Sequence, residues 1–343
     1  MAGPGNSTSL LNIVSLSEFT DLVEKRFSMV QGLVEPMAQQ LFIFDNLESH
    51  TGNTKRYDEV DTETFASDKP EGTDAVKATA GVGYNVTMEA VRRAKEIDIT
   101  WEMRKYNKNP QVVSALTSLN HFVPQRADID LTHRFTFATS TSYTDMDGNS
   151  VTIDVGDDLA LCSASHLLAF SATTYRNRIS GDPIFSQGAL ESAELLTTSD
   201  VYNNFAEKRV MNFNTIVTSD DPGTIRDVRQ VLESTADVDA AHAGVMNTYR
   251  GKYRHVALPY LATTAAGARD ATKRQWWFLM ATGQGVEGWQ AYYGVFEPAT
   301  LHTPAPGNNG EDIHNGNWTF GTTGSYGIVA LAGRGVVGSF PTS

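Results

Sequence analysis

The chain has 343 residues, 41% of them hydrophobic and 10% aromatic, and carries 27 Lys+Arg against 40 Asp+Glu for a formal net charge of −13. That balance excludes a simple basic nucleic-acid binder and a basic membrane-surface protein, because an acidic surface repels phosphate. The apolar content excludes a disordered chain and is ample for one elaborate domain or two.

The start, MAGPGNSTSLL, lacks the basic and apolar regions of a signal peptide. No uncharged apolar run reaches the roughly 18 residues of a membrane span, so a soluble, cytoplasmically made protein is expected. Residues 15–44 carry Phe19, Leu22, Val23 and Phe27, then Met29, Val30, Leu33, Val34 and Met37, at i, i+3, i+4 spacings. They predict a helical arm interrupted near Gly32 and Pro36. Residues 48–86 hold Tyr57, Val60 and Phe65 far apart among interleaved acids and lysines. A segment of about 40 such residues cannot bury a core of its own. It is either a linker or an extended hairpin that lies on another subunit.

Residues 91–99 read as a strand, and Thr100 caps a helix opened by TWEM, with Glu102 in its first turn. Pro110 restarts a helix with a stripe of Val112, Val113, Leu116, Leu119, Phe122 and Val123. Pro124 is expected to kink or end that turn before the pattern resumes at Ile129, Leu131 and Phe135, the whole forming a long, mostly helical spine. DMDGN at 145–149, between Tyr143 and the alternating Val151, Ile153 and Val155, predicts a hairpin turning at Asp147-Gly148. An EF-hand calcium loop would need Gly where Ser150 stands and Glu where Gly156 stands. Cys162, among small apolar neighbours in LALCSASH, reads as a buried small hydrophobe, and as the single cysteine it forms no internal disulfide. Residues 189–206 read as helical.

From Val210 the pattern becomes an α/β unit, expected to pack independently. FNTIVTS is a buried strand, and SDDPGTIRDVRQVLES is a helix with Ser219 or Asp220 as cap, Pro222 in the first turn, and Ile225, Val228 and Leu232 on one face. YRHVALPYL and QWWFLMAT supply two more strands. Gly283, Gly285 and Gly288 then spell GxGxxG, but WQAYYGVFEP follows where a dinucleotide's pyrophosphate needs a helix, so the glycines read as a turn between strands. From Ile313 onward the tail holds seven glycines and a single charged side chain, Arg334. Such a β-prone tail must pair within the fold or between subunits.

No GxSxG, P-loop, HExxH or CxxC is present, and the eight histidines make no i, i+4 helical pair. His302 and His314 around Glu311 and Asp312 read as a solvated loop, and His166 near Cys162 lacks a third convergent group. No catalytic, cofactor-binding or metal-binding residues are expected, and an α/β enzyme built on residues 210–282 is the remote alternative.

The arm, charged hairpin, spine helix, α/β lobe and Gly-rich β tail, in that order, resemble the major capsid protein of tailed bacteriophages, the Hong Kong 97 fold. The likeness is carried by Ser15 to Phe44, TKRYDEVDTETFASDKPEG, AKEIDITWEM, GDDLALCSASH, NTIVTSDDPGTIRDVRQVLES with YRHVALPYL, and FGTTGSYGIVALAGRGVVGS. GDDLALCSASH is similar to the phage Mu-type head-subunit branch. The resemblance implies an α+β fold with an N-terminal arm at 1–47, an extended E-loop at 48–88 and a peripheral domain with spine helix at 89–205. An axial domain at 206–300 follows, then return strands of the peripheral domain and the tail at 301–343.

The resemblance further implies self-assembly into an icosahedral head shell of pentamers and hexamers around double-stranded DNA, with a virion location after assembly in the host cytoplasm. Portal, scaffolding and decoration proteins are the implied partners, with no membrane. Because the arm begins as early as Ser15, the scaffolding protein is expected to be separate. An encapsulin-type cellular shell is the alternative within the same fold. The E-loop would lie across a neighbouring subunit, which makes Arg56, Asp58, Glu59, Lys69, Glu71, Lys77, Trp101 and Arg334 the candidate inter-subunit contacts. Interleaved charges there set register and reject wrong partners more than they add affinity. Some relatives cross-link an E-loop Lys to an Asn. Here Lys69 or Lys77 with Asn315 or Asn317 lacks an acid beyond Asp312, so boiling in denaturant is expected to release 37.4 kDa monomers. At −13 per copy the lumen would hold packaged DNA by weak, non-specific contact, leaving it free to slide.

Overall fold

The computed structural model describes residues 20–28 other than 22 and 26, together with 36–106, 118–236, 246–304 and 316–342. The expectations at Phe19, Leu22, Met29, Val30, Leu33, Val34, Val112, Val113, Leu116, Glu311, Asp312, His314 and Asn315 lie outside the described residues. The chain is α+β. In chain order come β1 (Ile43–Asn46), β2 (Thr54–Thr62), β3 (Ala80–Glu89), β4 (Val91–Ile99), α1 (Trp101–Lys105) and α2 (Leu119–Thr136). Two small hairpins follow, β5 (Ser142–Thr144) with β6 (Ser150–Thr152) and β7 (His166–Leu168) with β8 (Ser171–Tyr175). The remainder is α3 (Gln187–Ser199), β9 (Thr215–Ser219), α4 (Pro222–Glu233), β10 (Arg254–Leu258), β11 (Trp277–Met280), β12 (Ala291–His302), β13 (Trp318–Ala330) and β14 (Val336–Ser339).

Two four-stranded sheets organise these elements, one ordered β1-β12-β13-β4 and the other β10-β9-β11-β14. The arm expectation holds around the buried, helical Val23 and Phe27 but fails at its end. Met37–Leu41 is a short 3-10 turn, and the following residues form β1, parallel to β12 with Ile43 opposite Tyr292. The partner strand lies about 250 positions away, and local periodicity carries no information about a partner that distant. Thr100 does cap α1, its Oγ1 accepting from the Met103 N–H at 3.3 Å.

Pro124 lies inside α2 and does not end it. Leu119, Val123, Ala127, Leu131 and Phe135 recur every four residues and are all buried, a stripe whose packing outweighs the roughly 3 kcal/mol that an interior proline costs. Helix α3 stops at Ser199, short of the expected 206. Beyond it the Asn203 side chain accepts from the N–H groups of Phe205 and Glu207, folding the chain into a turn in which Ala206 takes φ +64°. The cap of α4 is Asp221, one residue past the expected position, accepting from Thr224 N–H at 3.1 Å with Pro222 at the first helical position.

The α/β lobe does not pack alone. One cluster joins Val217, Leu258, Phe278 and Val336 of the second sheet to Ala291, Tyr293, Tyr326 and Ile328 of the first, with Leu131 and Phe135 of α2 between them. The C-terminal tail crosses the same boundary: β13 completes the first sheet, and β14 pairs antiparallel with β11 at the edge of the second. Among the described residues no helix is long and apolar enough to cross a membrane.

His133, on α2, is buried edge-on against the rings of Phe137 and Tyr143, with Nε2 3.3 Å from the Thr263 hydroxyl. Burial drives its pKa down to about 4. The unfolded chain therefore takes up this proton first as the pH falls, and the stability tied to the neutral ring is present above 6.5 and lost between 6.5 and 4. The loss expected from this one group is about 3 kcal/mol. Urea denaturation at pH 7.5 and 4.5 is expected to show it, and a His133→Phe variant to show a correspondingly smaller difference between the two pH values.

Candidate assembly interface

The segment that read as linker or hairpin is an antiparallel hairpin of β2 and β3, in register from Thr54 opposite Glu89 to Thr62 opposite Ala80, with a bulge between Asp58 and Val60. A two-stranded hairpin alone is marginal in water, so what anchors it decides whether it is a fixed arm or a tether. Its root is anchored by packing. Tyr57 and Met88 join Leu47 and Val329 in a small core, Tyr57 stacks on Tyr292 at 4.1 Å between centroids, and its hydroxyl donates to Asp45 at 2.6 Å. Lys55 closes on the same carboxylate at 2.5 Å. Burial alone would raise the Asp45 pKa; the bonds from Lys55 and Tyr57 outweigh it and hold the carboxyl below its usual range.

Farther out, the inward face is held by charge. Arg334 meets Glu59 at 2.7 Å and Asp61 at 3.3 Å, and its guanidinium also donates to Asn204 Oδ1 at 2.8 Å. Asp61 accepts from the Asn204 N–H at 3.0 Å and lies 3.8 Å from Arg209. Burial pushes the Glu59 carboxyl above its ordinary range against the pull of Arg334. Burial also works against the charge on Arg334, but Glu59, Tyr175 and Asp61 outweigh it and keep the guanidinium charged. Gly83 sits under this cluster, where a Cβ would come 2.6 Å from Asn204 Nδ2. The last anchor is the 203–207 turn: the Thr64 N–H donates to Glu207 at 2.7 Å, and the Asn203 amide donates to Thr64 Oγ1 at 3.3 Å.

Among the described residues nothing covers the outward face. Val60 and Val82, directly opposite each other across the strands, are 67% and 55% exposed. Every residue from Thr62 to Ala80 is exposed, among them Phe65 at 68% and Val76 at 71%. A hairpin fixed on one side, with exposed valines and an aromatic tip on the other, offers a surface to a partner.

Of the predicted contact residues, Arg56 and Asp58 lie on this outward face, paired with each other at 2.6 Å, and Lys69, Glu71 and Lys77 lie in the exposed tip. Glu59 and Arg334 are corrections. They are 3% and 5% exposed and face each other inside one chain, which leaves neither a surface for a second subunit. Trp101 is 42% exposed but stands past Ile99, at the far end of β4 from the hairpin. The sequence reading missed Asp45, Asn203, Asn204, Glu207 and Arg209. One signal for the ion cluster was present, a lone arginine in an uncharged glycine-rich tail, since such a charge is buried only with a carboxylate for company.

DMDGN forms the predicted hairpin, with Gly148 at φ +83°. Its carboxylates are taken up by arginines. Arg126 reaches Asp130, Asp145 and Asp147 at 3.0, 3.0 and 2.8 Å, and Arg93 reaches Asp130 at 3.2 Å. The N–H groups of Asn149 and Asp147, with Arg126 and Arg93, overcome the effect of burial and lower the Asp145 pKa. Among the described residues no group of three or more metal-ligating side chains gathers. The GxGxxG segment passes from β11 through a 3-10 turn at Gly285–Glu287 into β12, with Gly283 at φ +73° and Gly285 at φ +56°, as a glycine turn between strands requires.

No family model matches the chain, and no curated protein matches it. Solved structures do resemble it along most of its length. One titled for Mycobacterium phage Adephagia is 12% identical with a TM-score of 0.49, covering 100% of this chain and 95% of its own. The capsid structure of cyanophage P-SCSP1u is 8% identical with a TM-score of 0.49, covering 88% and 86%. The capsid asymmetric unit of cyanophage Pam1 is 15% identical with a TM-score of 0.47, covering 88% of each chain. At these identities and scores the likenesses carry no functional argument by themselves, and the function rests on the hairpin, its anchors and its bare face.

Proposed function

We propose that this chain is a shell-forming capsid subunit, the major head protein of a tailed bacteriophage of the Hong Kong 97 type. The observation that carries the reading is the β2–β3 hairpin: buried ion pairs and aromatic packing lock its inward face to its own subunit, while Val60, Val82, Phe65 and Val76 stand in solvent. A monomeric protein gains nothing from fixing such a face in place. A subunit that covers its neighbour's surface and is covered in turn does, because many modest heterologous contacts close into a cooperative shell. The sequence resemblance implies the same reading, with an E-loop at this position, pentamers and hexamers as building units, and portal, scaffolding and decoration proteins as partners. The acidic chain then suits a wall that holds packaged double-stranded DNA weakly.

Purified protein is expected to form closed shells by negative-stain electron microscopy and to sediment as particles far larger than a 37.4 kDa chain. Phe65→Ser with Val76→Ser is expected to cut shell yield at least tenfold while leaving the circular dichroism melt of the subunit unchanged, since both side chains are exposed. Only monomers from the unmodified chain under all assembly conditions, or full shell yield from the double variant, would defeat the reading.

A further inference from the structure

The β7–β8 hairpin is rooted in a buried polar network separate from the anchors described above. His166 opens β7 and is fully buried. Its Nδ1 lies 2.9 Å from Asp157 Oδ2 and its Nε2 lies 3.1 Å from Asn177 Oδ1. Tyr175, its cross-strand partner, stacks on the ring at 4.9 Å between centroids. A neutral imidazole carries one N–H and one lone pair, so it suits this pair of neighbours only if one of them presents a donor.

Neither does. Asn177 Oδ1 also accepts from the Ser163 N–H at 2.8 Å, while Nδ2 donates to the carbonyls of Leu161 at 2.8 Å and Gly333 at 2.9 Å. Exchanging the amide oxygen and nitrogen would set a donor against the Ser163 N–H and an acceptor against two carbonyls, with three buried bonds lost. Asp157 Oδ2 accepts from the Leu167 N–H at 3.0 Å as well. Burial alone would raise the Asp157 pKa; the bond and charge of His166, with the N–H groups of Leu167 and Leu159, outweigh it and hold the carboxyl below its usual range. The backbone closes the site on the Asn177 side, where a Cβ on Gly333 would come 2.8 Å from Asn177 Nδ2 and 3.0 Å from His166 Nε2. Of the other ionisable groups around the ring, Tyr175 stays neutral because burial raises its hydroxyl, and Arg334 beside it is committed to Glu59 and Asp61. Asp154 and Asp158 add negative charge next to Asp157.

Strands β7 and β8 brace the β2–β3 hairpin of the same chain. Phe170, in the turn between them, stacks on Phe205 at 4.8 Å and lies so near Gly81 of β3 that a Cβ there would come 2.6 Å from its ring. The N–H groups of Ala169 and Phe170 donate to Asn204, the residue that also bonds Asp61 and Arg334. Tyr84, again on β3, crowds Gly156 next to Asp157, where a Cβ would come 2.6 Å from its own.

From this complement of donors and acceptors we infer that His166 is held with both ring nitrogens protonated, a buried cation paired with Asp157, and that this cation positions the β7–β8 brace against the hairpin. Loss of either proton would leave two lone pairs facing each other in the interior and remove a bond at the root of the brace. What the hairpin does with that support rests on the assembly role proposed above; the protonation does not. A ring that keeps its second proton in the folded chain, and sheds it above about 6.5 in the unfolded one, makes folding less favourable as the pH rises, the opposite direction to His133.

Nitrogen NMR of the full chain, labelled at histidine and assigned through the backbone of His166, tests the ring in the unmodified protein. At pH 8 both ring nitrogens are expected to carry protons, and a singly protonated ring would overturn the inference. His166→Gln supplies two further readouts. Between pH 7 and 8.5, urea denaturation is expected to show a folding constant that falls at least fivefold more in the unmodified chain than in the variant. Equal falls would overturn the inference, because a ring that only fills space adds no pH dependence. At pH 7, hydrogen exchange in β3 is expected to accelerate in the variant at least fivefold more than exchange in β9, and equal acceleration would overturn the positioning role. The expected protonation and exchange in a protein that never closes into shells would uphold this inference and overturn the assembly role.

Discussion

Arg334→Met is expected to destabilise the chain by about 3–5 kcal/mol, the range for breaking a buried ion pair from one side. The side chain is 4% exposed and lies against two carboxylates, Glu59 and Asp61, which the substitution would leave in the interior with Arg209, 3.8 Å from Asp61, as the remaining nearby guanidinium. Burial already drives Glu59 toward its neutral form, and loss of Arg334 removes the largest opposing influence. The damage falls on function as well as stability, because the same cluster fixes the inward face of the hairpin. Urea denaturation measures the first effect. Hydrogen exchange in β2 and β3, expected to accelerate more than exchange in β9 or β11, measures the second. Adding Glu59→Gln to Arg334→Met is expected to recover part of the loss, since one stranded carboxylate is gone. A double variant as unstable as the sum of the two single ones would show that the cost lies in packing and not in charge.

Phe135→Ala is expected to cost a similar amount, about 3–5 kcal/mol, through a different mechanism, the loss of buried area plus the cavity left behind. Phe135 is fully buried at the C-terminal end of α2. Its ring meets Phe42 beside the first sheet at 5.9 Å, Phe278 of the second sheet at 5.4 Å and Trp289 of the β11–β12 connection at 5.3 Å. No single neighbour is able to relax into the space without leaving the other two. The truncation therefore loosens the joint between the sheets, and a broadened or two-step thermal transition by calorimetry is expected alongside the lower midpoint. Phe135→Leu, which keeps most of the volume, is expected to retain a single transition.

Local signals in the sequence were strong where an element depends on its own residues. Thr215–Ser219 and Trp277–Met280 are short, buried runs of strand-forming residues, and Val91–Ile99 ends in the alternation of Ile97, Asp98 and Ile99; all three are strands. Asp147-Gly148 forms its turn because glycine accepts a positive φ, and Pro222 opens α4 because its missing N–H has no partner to lose there. The misreadings occur where a distant partner outweighs local pattern. Ile43 and Phe44, the last residues of the predicted helical arm, are strand because β12 pairs with them, residues 200–206 leave the predicted helix because Asn203 folds them into a turn, and α2 runs through Pro124 because its buried stripe outweighs the proline. The hairpin was legible as an alternative, since a charged segment with few apolar anchors must lean on something else, but its anchors were not.

What the amino-acid sequence determined by itself, then, is the alternation of elements, an acidic chain with an ample apolar core, and an extended charged segment in need of a surface. Periodicity, turn chemistry and composition act within a few residues, so one chain displays them directly. The tertiary structure alone decided which charges are interior. Glu59 and Lys69 look alike in the sequence, yet one is sealed against an arginine near the far end of the chain and the other stands in the solvent-exposed tip. Arg334 and its second carboxylate, Asp61, are 273 positions apart. Burial, which makes an ion pair structural or leaves a charge free for a partner, is a property of neighbours brought together by folding, and no spacing along the chain encodes it.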